Sequence, residues 1–142
     1  MAASLDKIEI VECQDISDIR GGLFVFTLDP IVPFEVKRIF YVYDVPVNAV
    51  RGRHGHYRCH QFMICQKGRV LVTMANGLAT RNIELQSGQA ILIEPLIFAE
   101  QTYLEPDSIL LVLCDRPYEE DDYILDVETL KAHVAAPGHP NY

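Results

Sequence analysis

The sequence predicts an all-β fold, a sandwich or barrel followed by a short C-terminal helix. About eight to ten short apolar or alternating segments follow one another at intervals of roughly 8–12 residues, which is the pattern of such folds. Turn residues separate these segments, and Asn76-Gly77 between two apolar runs is a strong hairpin signal. Helical periodicity occurs only after Pro117. Among the possible architectures, a jelly roll leaves an open mouth between its two sheets, where inward-facing side chains can do chemistry.

The first half of the chain contains three predicted strands. Their apolar or β-branched runs cover residues 8–12, 23–27 and 36–43. Arg20 is placed to project toward a site from the glycine turn that precedes the second strand. The connection 29–34 contains two prolines, which exclude a central strand. Alternation in the third strand predicts two faces, one with Arg38, Phe40 and Val42 and the other with Ile39, Tyr41 and Tyr43.

The second half continues the strand pattern and then changes to a helix. The predicted strands are the apolar runs at 62–65, 70–74, 83–85, 90–93 and 109–113. The last run is apolar throughout, which indicates burial on both faces. Asp126 is the predicted N-cap of a helix over residues 126–134 that carries an apolar stripe. The acidic segment 118–123 is predicted to be a solvated turn before this helix, and the tail 137–142 to be frayed.

Length and composition indicate one soluble domain. A chain of 142 residues suits a single core, so residues 1–142 are predicted to form one domain. Hydrophobic residues make up 49% of the chain, yet no apolar run approaches the roughly 20 residues of a membrane span. The N-terminus lacks the charged and apolar blocks of a signal peptide. The formal net charge of −8 opposes binding to nucleic acid polymers. We therefore expect neither a membrane nor a nucleic acid partner.

The four cysteines indicate a reducing compartment. Cys13, Cys59, Cys65 and Cys114 have no CxxC spacing, and the last two lie in apolar strand-like runs. Buried, reduced thiols agree better with this placement than a disulfide framework does. The sequence therefore predicts a cytoplasmic protein.

Three of the five histidines lie within seven residues, inside the segment 51–61. His54 and His56 point the same way in an extended segment, because side chains alternate. His60 joins that face if the strand continues, whereas a bulge in residues 57–59 would break the register. Two imidazoles beside an arginine and a glutamine, in an otherwise apolar sheet pattern, indicate a functional site rather than solvated edge residues.

The segment 51–56, Arg-Gly-Arg-His-Gly-His, resembles the R-G-x-H-A-H signature of the sugar-nucleotide 3,4-ketoisomerases, small cupins that act on dTDP-4-keto-6-deoxyglucose. The similarity extends over residues 8–134, and the ordered set of matches is more specific than the histidine motif alone. The other matching segments are Arg20-Gly21-x-Leu23, Pro33-Phe34-x-Val36-Lys37-Arg38 with Tyr41 and Asp44, Gln61, Leu110-Leu111-Val112-Leu113, and Tyr118-x-x-x-Asp122-Tyr123-Ile124.

The resemblance implies a cupin jelly roll (a double-stranded β-helix) that forms a homodimer by exchanging N-terminal strands and needs no metal or other cofactor. It implies conversion of a dTDP-linked 4-keto-6-deoxy sugar to its 3-keto isomer, in deoxyaminosugar biosynthesis. By position, His54 and His56 are the proton-transfer pair and Tyr41 is a hydrogen-bonding partner. The residues expected to bind the nucleotide or substrate are Arg20, Arg38, Arg51, Gln61, Phe98 and Glu100.

Histidine, arginine and tyrosine are also suited to this isomerisation by their chemistry, apart from the resemblance. Moving a ketone from C4 to C3 requires removal of the C3 proton, an enediol, and return of a proton to C4. Imidazole titrates near pH 6.5, so it can take and give that proton without extreme tuning. An arginine or tyrosine donor near the ketone oxygen stabilises the enolate, and the guanidinium fork suits a pyrophosphate.

Several positions depart from the family's usual sequence. Gly55 and Tyr57 stand where alanine and lysine are usual, and His60 stands where a carboxylate or amide is common. Phe98 and Ala99 replace the Trp-His of many members. The configuration of the product at C4 therefore stays open, as does the choice between thymidine and uridine.

Two other interpretations also stay open. Metal-binding cupins place their ligands as H-x-H-x3-E with a further histidine beyond a proline turn. Here His54, His56 and His60 fill the first three positions, and Glu100 falls near the last. These side chains suit zinc, iron, manganese or nickel, in a metal-dependent isomerase or dioxygenase. The altered family positions also permit a non-catalytic module that binds a sugar nucleotide.

Overall fold

The computed structural model describes residues 1–136, so the predicted tail 137–142 lies outside the described residues. Its strands are β1 (Val11–Glu12), β2 (Gln14–Asp15), β3 (Phe24–Val25), β4 (Arg38–Val42), β5 (Val50–His56), β6 (Gln61–Lys67), β7 (Arg69–Ala75), β8 (Thr80–Gln86), β9 (Gln89–Ile93), β10 (Phe98–Tyr103), β11 (Ile109–Cys114) and β12 (Tyr123–Ile124). The helical turn α1 (Leu28–Ile31) follows β3, a 3₁₀ turn (Glu120–Asp122) precedes β12, and helix α2 (Val127–Ala135) follows β12. Within this range no helix is long and apolar enough to cross a membrane.

Two five-stranded antiparallel sheets form a sandwich. The first sheet has the strand order β1-β9-β6-β11-β4, and the second has the order β12-β5-β10-β7-β8. Strands β2 and β3 pair separately as a small ribbon. Sequence neighbours such as β5 and β6 lie in different sheets, so the chain crosses between the sheets as a jelly roll does.

The main hydrophobic core lies between the two sheets. It takes alternate side chains from both, as expected for strands with one face inward. Members from the first sheet are Met63, Cys65, Ile91, Leu110 and Val112, and members from the second are Val70, Val72, Met74, Leu85 and Tyr103.

A second apolar cluster covers the outer face of the first sheet. Phe62, Ile64 and Leu113 point outward from β6 and β11, and the proline-containing connection packs Val32 and Phe34 onto them. The prediction that residues 109–113 are buried on both faces is therefore confirmed, as is the exclusion of residues 29–34 from the sheets.

The predicted hairpin and helix are also confirmed. Asn76 accepts hydrogen bonds from the backbone N–H groups of Leu78 and Ala79, at 2.9 and 2.8 Å, in the turn between β7 and β8. Asp126 caps α2 by accepting from the Thr129 N–H at 2.7 Å.

The first predicted strand, residues 8–12, is shorter than its alternation indicates. Only β1 pairs, because the chain before it turns and buries Leu5 and Ile8 in the core. The carbonyls of these two residues accept from the Arg81 guanidinium, at 2.6 and 2.9 Å. A side chain therefore supplies the hydrogen bonds that a neighbouring strand would otherwise supply.

Candidate active site

A cavity of about 110 Å³ opens between the two sheets. Its lining is largely apolar, with a few polar groups, which is typical of small-molecule sites. The polar side chains are those of Arg51, His54, Gln61 and Gln101. The other lining residues are Phe40, Val42, Gly52, Met63, Ile93, Ile97, Ala99, Leu110 and Val112.

A bulge in β5 brings Arg51 and His54 to the same side of the strand. The register with β10 pairs Arg51 with Gln101 and His54 with Ala99, and it shifts between these pairs. Gly52 has a φ of 88° and Arg53 a φ of 56°, in keeping with an extra residue in the ladder. Strict alternation would place Arg51 and His54 on opposite faces, so the bulge is what gathers both side chains in the cavity.

Within residues 1–136, the hydrogen bonding of His54 leaves one of its two ring nitrogens without a partner. Its Nδ1 lies 3.1 Å from the Gly52 carbonyl oxygen. A carbonyl only accepts, so Nδ1 carries the proton in the neutral ring and Nε2 holds the lone pair. Burial is the main cause that lowers the pKa of His54. The hydrogen bond to the Gly52 carbonyl raises this pKa, and the positive charge of Arg38 lowers it. His54 is therefore a neutral base at pH 7.

His56 lies beside His54, as the alternation predicts. The two ring centroids are 5.1 Å apart and the planes are perpendicular. His56 is 5% exposed, and within residues 1–136 its Nε2 has no hydrogen-bond partner. Burial is the main cause that lowers its pKa to about 4, and the charges of His54 and Arg38 add to it. This imidazole is also neutral at pH 7.

Tyr123 packs against both imidazoles, although no sequence motif assigned it a role. Its ring centroid lies 4.9 Å from that of His54 and 4.6 Å from that of His56. Strand β12 carries Tyr123 to a position directly opposite His56 in β5. The pair of histidines is thus enclosed by an aromatic ring from a segment far along the chain.

The buried side chain of Asp122 connects the turn before Tyr123 to the residues that follow the histidine strand. Its carboxylate accepts from the backbone N–H groups of Arg58 and Cys59, at 2.8 and 3.2 Å. The prediction of a fully solvated acidic turn at 118–123 is therefore wrong for Asp122, which is 2% exposed. Its partners lie more than 60 residues earlier in the sequence, so local composition could not indicate them.

Arg38 faces inward from β4, beside the histidines but outside the set that lines the cavity. Its guanidinium carbon lies 5.7 Å from the ring centroid of Phe40 and 5.9 Å from that of Tyr118. The guanidinium also donates to Cys114 Sγ at 3.6 Å. A hydrogen bond from the Cys59 thiol and this guanidinium lower the pKa of Cys114. Arg38 is therefore a partly buried positive charge that favours neutral imidazoles nearby.

Gln61 and Arg51 both line the cavity, as expected of substrate-binding residues. Gln61 is buried and donates to Cys114 Sγ at 3.7 Å. Arg51 has no carboxylate within ion-pair distance in the described part of the chain, whereas Arg53, two residues later, pairs with Glu100 at 3.3 Å. Arg51 is thus an uncompensated cation at the cavity of an acidic protein.

His60 does not join the other two histidines. Residues 57–60 leave the strand, and His60 Nδ1 lies 2.8 Å from Asp115 Oδ2 while its backbone N–H donates to Oδ1 at 2.8 Å. Glu100 points to the outer face of β10, where it pairs with Arg53. The ligand set of the metal-binding interpretation is therefore not gathered, and residues 1–136 contain no other cluster of three or more side chains arranged for a metal ion.

Three predicted site residues lie on outer faces of the sheets. Tyr41 is 61% exposed and stacks on Tyr43 at 5.5 Å, because β4 turns Phe40 rather than Tyr41 toward the cavity. On β10, Phe98 and Glu100 alternate with the inward-facing Ala99. The structure therefore does not bring Tyr41, Phe98 or Glu100 into the cavity of this chain.

Arg20 also lies outside the cavity. It is at the tip of the hairpin that joins β2 and β3, its side chain is 87% exposed, and it pairs with Asp18. The predicted glycine turn is present, but in a single chain it directs the arginine toward solvent.

The family model described as "FdtA: WxcM-like, C-terminal" matches residues 6–135. The chain belongs to this family. A similar curated protein is the TDP-4-oxo-6-deoxy-alpha-D-glucose-3,4-oxoisomerase of Aneurinibacillus thermoaerophilus, 27% identical over 128 residues that cover 89% of this chain and 92% of the relative.

Solved structures agree with this assignment. The sugar 3,4-ketoisomerase QdtA of Thermoanaerobacterium thermosaccharolyticum, in complex with TDP, superposes with a TM-score of 0.83 at 29% identity, over 92% of this chain and 96% of QdtA. A 3,4-ketoisomerase of Helicobacter canadensis gives a TM-score of 0.83 at 27% identity, over 92% of this chain and 98% of the other. The predicted cupin jelly roll with its short C-terminal helix is therefore confirmed.

The family position at Ala99 has a structural meaning in this fold. Ala99 lines the cavity directly opposite His54 in the ladder. Family members that carry histidine here would add an imidazole to the cavity wall, whereas this chain presents a methyl group. Phe40 likewise presents an apolar ring. The acid–base groups of this cavity are therefore concentrated on β5.

Proposed function

We propose that this protein is an isomerase that converts a TDP-linked 4-keto-6-deoxy sugar to its 3-keto isomer, as a step of deoxyaminosugar biosynthesis. The observation that carries the proposal is His54, a neutral imidazole with a free Nε2 inside a largely apolar cavity. The similarity to 3,4-ketoisomerases along most of the chain supports the same reaction class.

In the proposed reaction His54 is the base. Its Nε2 removes the proton from C3 of the sugar, and the electrons of that C–H bond form the C3–C4 double bond of an enediol while O4 gains a proton. Loss of the O3 proton and return of a proton to C4 then complete the 3-keto product. The net change moves one hydrogen from C3 to C4 and one proton from O3 to O4, so no oxidant or reductant is consumed.

His56 is the proposed second member of the proton-transfer pair. It is neutral and lies next to His54, so it can exchange a proton with the substrate oxygens without first losing a charge. The positive charge of Arg38 favours the negative charge that develops on the enediol, an effect that a buried site amplifies.

Arg51 is the proposed contact for the diphosphate of TDP. Its guanidinium has no carboxylate partner within residues 1–136 and lines the cavity. Because the chain carries a formal charge of −8, an anionic nucleotide needs such a local cation to offset general repulsion. A bidentate guanidinium suits two phosphate oxygens.

A homodimer with exchanged N-terminal strands is part of the proposal. The β2–β3 hairpin exposes Ile19 and Leu23, and the outer face of the edge strand β4 exposes Ile39 and Tyr41. Large apolar side chains that are exposed in the single chain favour contact with another protein surface. In an exchanged dimer, Arg20 would act in the cavity of the second copy. The four unpaired cysteines support a cytoplasmic location.

The test is incubation with TDP-4-keto-6-deoxyglucose in deuterated water, with the sugar protons followed by NMR. We expect a TDP-linked 3-keto sugar and exchange of the transferred hydrogen with solvent. Absence of both would reject the isomerase for this substrate. The same assay after chelator treatment tests the metal-dependent alternative, since loss of turnover that returns with added metal would support that alternative.

A further inference from the structure

Gln101 is a buried amide without a strong hydrogen-bond partner. It is 6% exposed and lines the cavity. Within residues 1–136, its side chain makes one contact, from Nε2 to Met63 Sδ at 3.9 Å. A thioether is a weak acceptor, so the amide carbonyl and most of the donor capacity are unused. The amide oxygen is not among the fully enclosed atoms of residues 1–136 that lack a partner, so it is open to the cavity, where a ligand can supply the missing hydrogen bonds.

The bulge of β5 fixes where this amide sits. A Cβ added to Gly52 would lie 2.5 Å from Gln101 Oε1, so the amide packs directly against the glycine. Gly52 follows Arg51 and precedes His54 on the cavity side of β5, and Gln101 lies opposite Arg51 in the register. The amide therefore occupies the space between the cation and the base.

The structure of the proposed substrate indicates which of its groups would lie in this space. In the proposed function, Arg51 holds the diphosphate attached to C1 and His54 takes the proton from C3. C2 lies between these two carbons, and its hydroxyl does not react. A hydroxyl both donates and accepts, which matches the free carbonyl and N–H of a primary amide.

We infer that Gln101 binds the C2 hydroxyl of the TDP-linked 4-keto-6-deoxy sugar and selects it over the 2-deoxy counterpart. This inference rests on the proposed function. It makes Gln101 a specificity-determining residue. A site built to hydrogen-bond a hydroxyl discriminates strongly against the analogue that lacks it, because the buried polar group is then left unpaired.

The experiment measures kcat/KM on TDP-4-keto-6-deoxyglucose and on its 2-deoxy analogue, for the wild type and for Gln101→Met. Methionine keeps an unbranched side chain of similar length and removes the amide. We expect the wild type to prefer the hydroxylated substrate by about 100-fold or more. The variant should lose most of its activity on that substrate, keep its activity on the 2-deoxy analogue within a few-fold, and melt no lower than the wild type.

Thr102→Val is the matched control, since Thr102 follows Gln101 on β10 and faces the outer side of the sheet. It should leave the preference unchanged. If Gln101→Met keeps the wild-type preference, the inference is wrong while the isomerase stands. Equal loss on both substrates with a lower melting temperature would show a structural role and would also overturn it. No turnover of either substrate by the wild type would reject the proposed function itself.

Discussion

The two histidines of β5 differ in how strongly the fold holds them neutral. His56 is the more buried, and the nearby positive charges of His54 and Arg38 oppose its protonation while Asp115 partly favours it. His54 keeps contact with the cavity and a defined hydrogen bond through Nδ1. This difference favours His54 as the base that contacts the substrate and His56 as a second imidazole behind it.

The low pKa of His56 makes stability depend on pH. Its pKa is about 4 in the folded protein and about 6.5 when unfolded, so between these values the unfolded state binds more protons. Stability contributed by neutral His56 is present above pH 6.5 and is lost as the pH falls toward 4, with a slope of up to about 1.4 kcal/mol per pH unit. Chemical denaturation of the wild type and His56→Gln measures this.

The variant should lose less stability over that interval, by about 3 kcal/mol in total. Subtracting its curve removes the titration of the carboxylates, which both proteins share. Parallel curves for the two proteins would contradict the assignment of a buried, neutral His56.

Arg51 and Arg53 form a matched pair for testing the diphosphate contact. Both are arginines of β5, but only Arg51 lines the cavity, and Arg53 pairs with Glu100 outside it. Arg51→Ala should weaken TDP binding by about 10- to 100-fold, because a charge-assisted contact is lost. Arg53→Ala should change it by less than about 3-fold. Isothermal titration with TDP compares them, and equal effects would show that Arg51 has no special role.

The short strand β12 and the turn before it connect the end of the chain to the histidine strand β5. Asp122 joins this turn to residues 58–59, immediately after the histidines, through two backbone hydrogen bonds and an ion pair with Arg58 Nε at 3.5 Å. Asp121, its neighbour, is exposed and contacts Arg58 only at the surface. The two carboxylates therefore differ in burial while sharing a partner.

We expect Asp122→Ala to lower the free energy of unfolding by about 2–4 kcal/mol, since it removes the charged acceptor of the Arg58 and Cys59 backbone N–H groups. The Arg58 guanidinium keeps its contacts with Glu119 and Asp121. Asp121→Ala should cost less than about 1 kcal/mol. Urea denaturation of both variants is the measurement. A similar loss in each would mean that Asp122 does not clamp β12 to the end of β5.

The sequence predicted the direction of side chains in regular strands, where alternation is a local property. It predicted less where a bulge or a loop breaks the alternation. Alternation predicted that Arg38 and Phe40 share one face of their strand and Tyr41 the other, and the structure has this division, with the Phe40 face toward the cavity. Alternation alone did not predict which face is the inner one, and the site role of Tyr41 implied by the resemblance stays a prediction.

The placement of Arg51 depends on a bulge, which composition alone does not reveal. The direction of His60 depends on Asp115, 55 residues later in the chain, and the role of Tyr123 depends on the pairing of β12 with β5. Such contacts follow from the topology of the two sheets. The histidine pair itself was predictable, because two residues of one strand separated by one position share a face in any sheet.

Within the described residues, the β2–β3 hairpin and strand β4 both carry exposed apolar side chains. Ile19 is fully exposed and Leu23 is more than half exposed in the single chain. Neither supports the core, so a surface function explains them better than a structural one. The proposed dimer would cover them.

Light scattering after gel filtration should give a mass of two chains for the wild type. Replacing Ile19 and Leu23 together with lysine should yield a monomer that remains folded, because both side chains are exposed in the single chain. Its melting temperature should be lower than that of the dimer, because association no longer stabilises the folded state. Leu78→Lys is the control, since Leu78 is equally apolar and exposed but lies in the turn between β7 and β8. A wild-type monomer, or a dimer that survives the double replacement, would contradict the proposed interface.

His54→Asn tests whether His54 is the base that carries the proton in the proposed isomerase. The asparagine keeps the approximate shape and removes the base, so turnover of TDP-4-keto-6-deoxyglucose, followed by NMR in deuterated water, should fall by about 10²- to 10⁴-fold. TDP affinity and melting temperature should stay at the wild-type values. A variant that still forms the 3-keto product at the wild-type rate would mean that another group is the base.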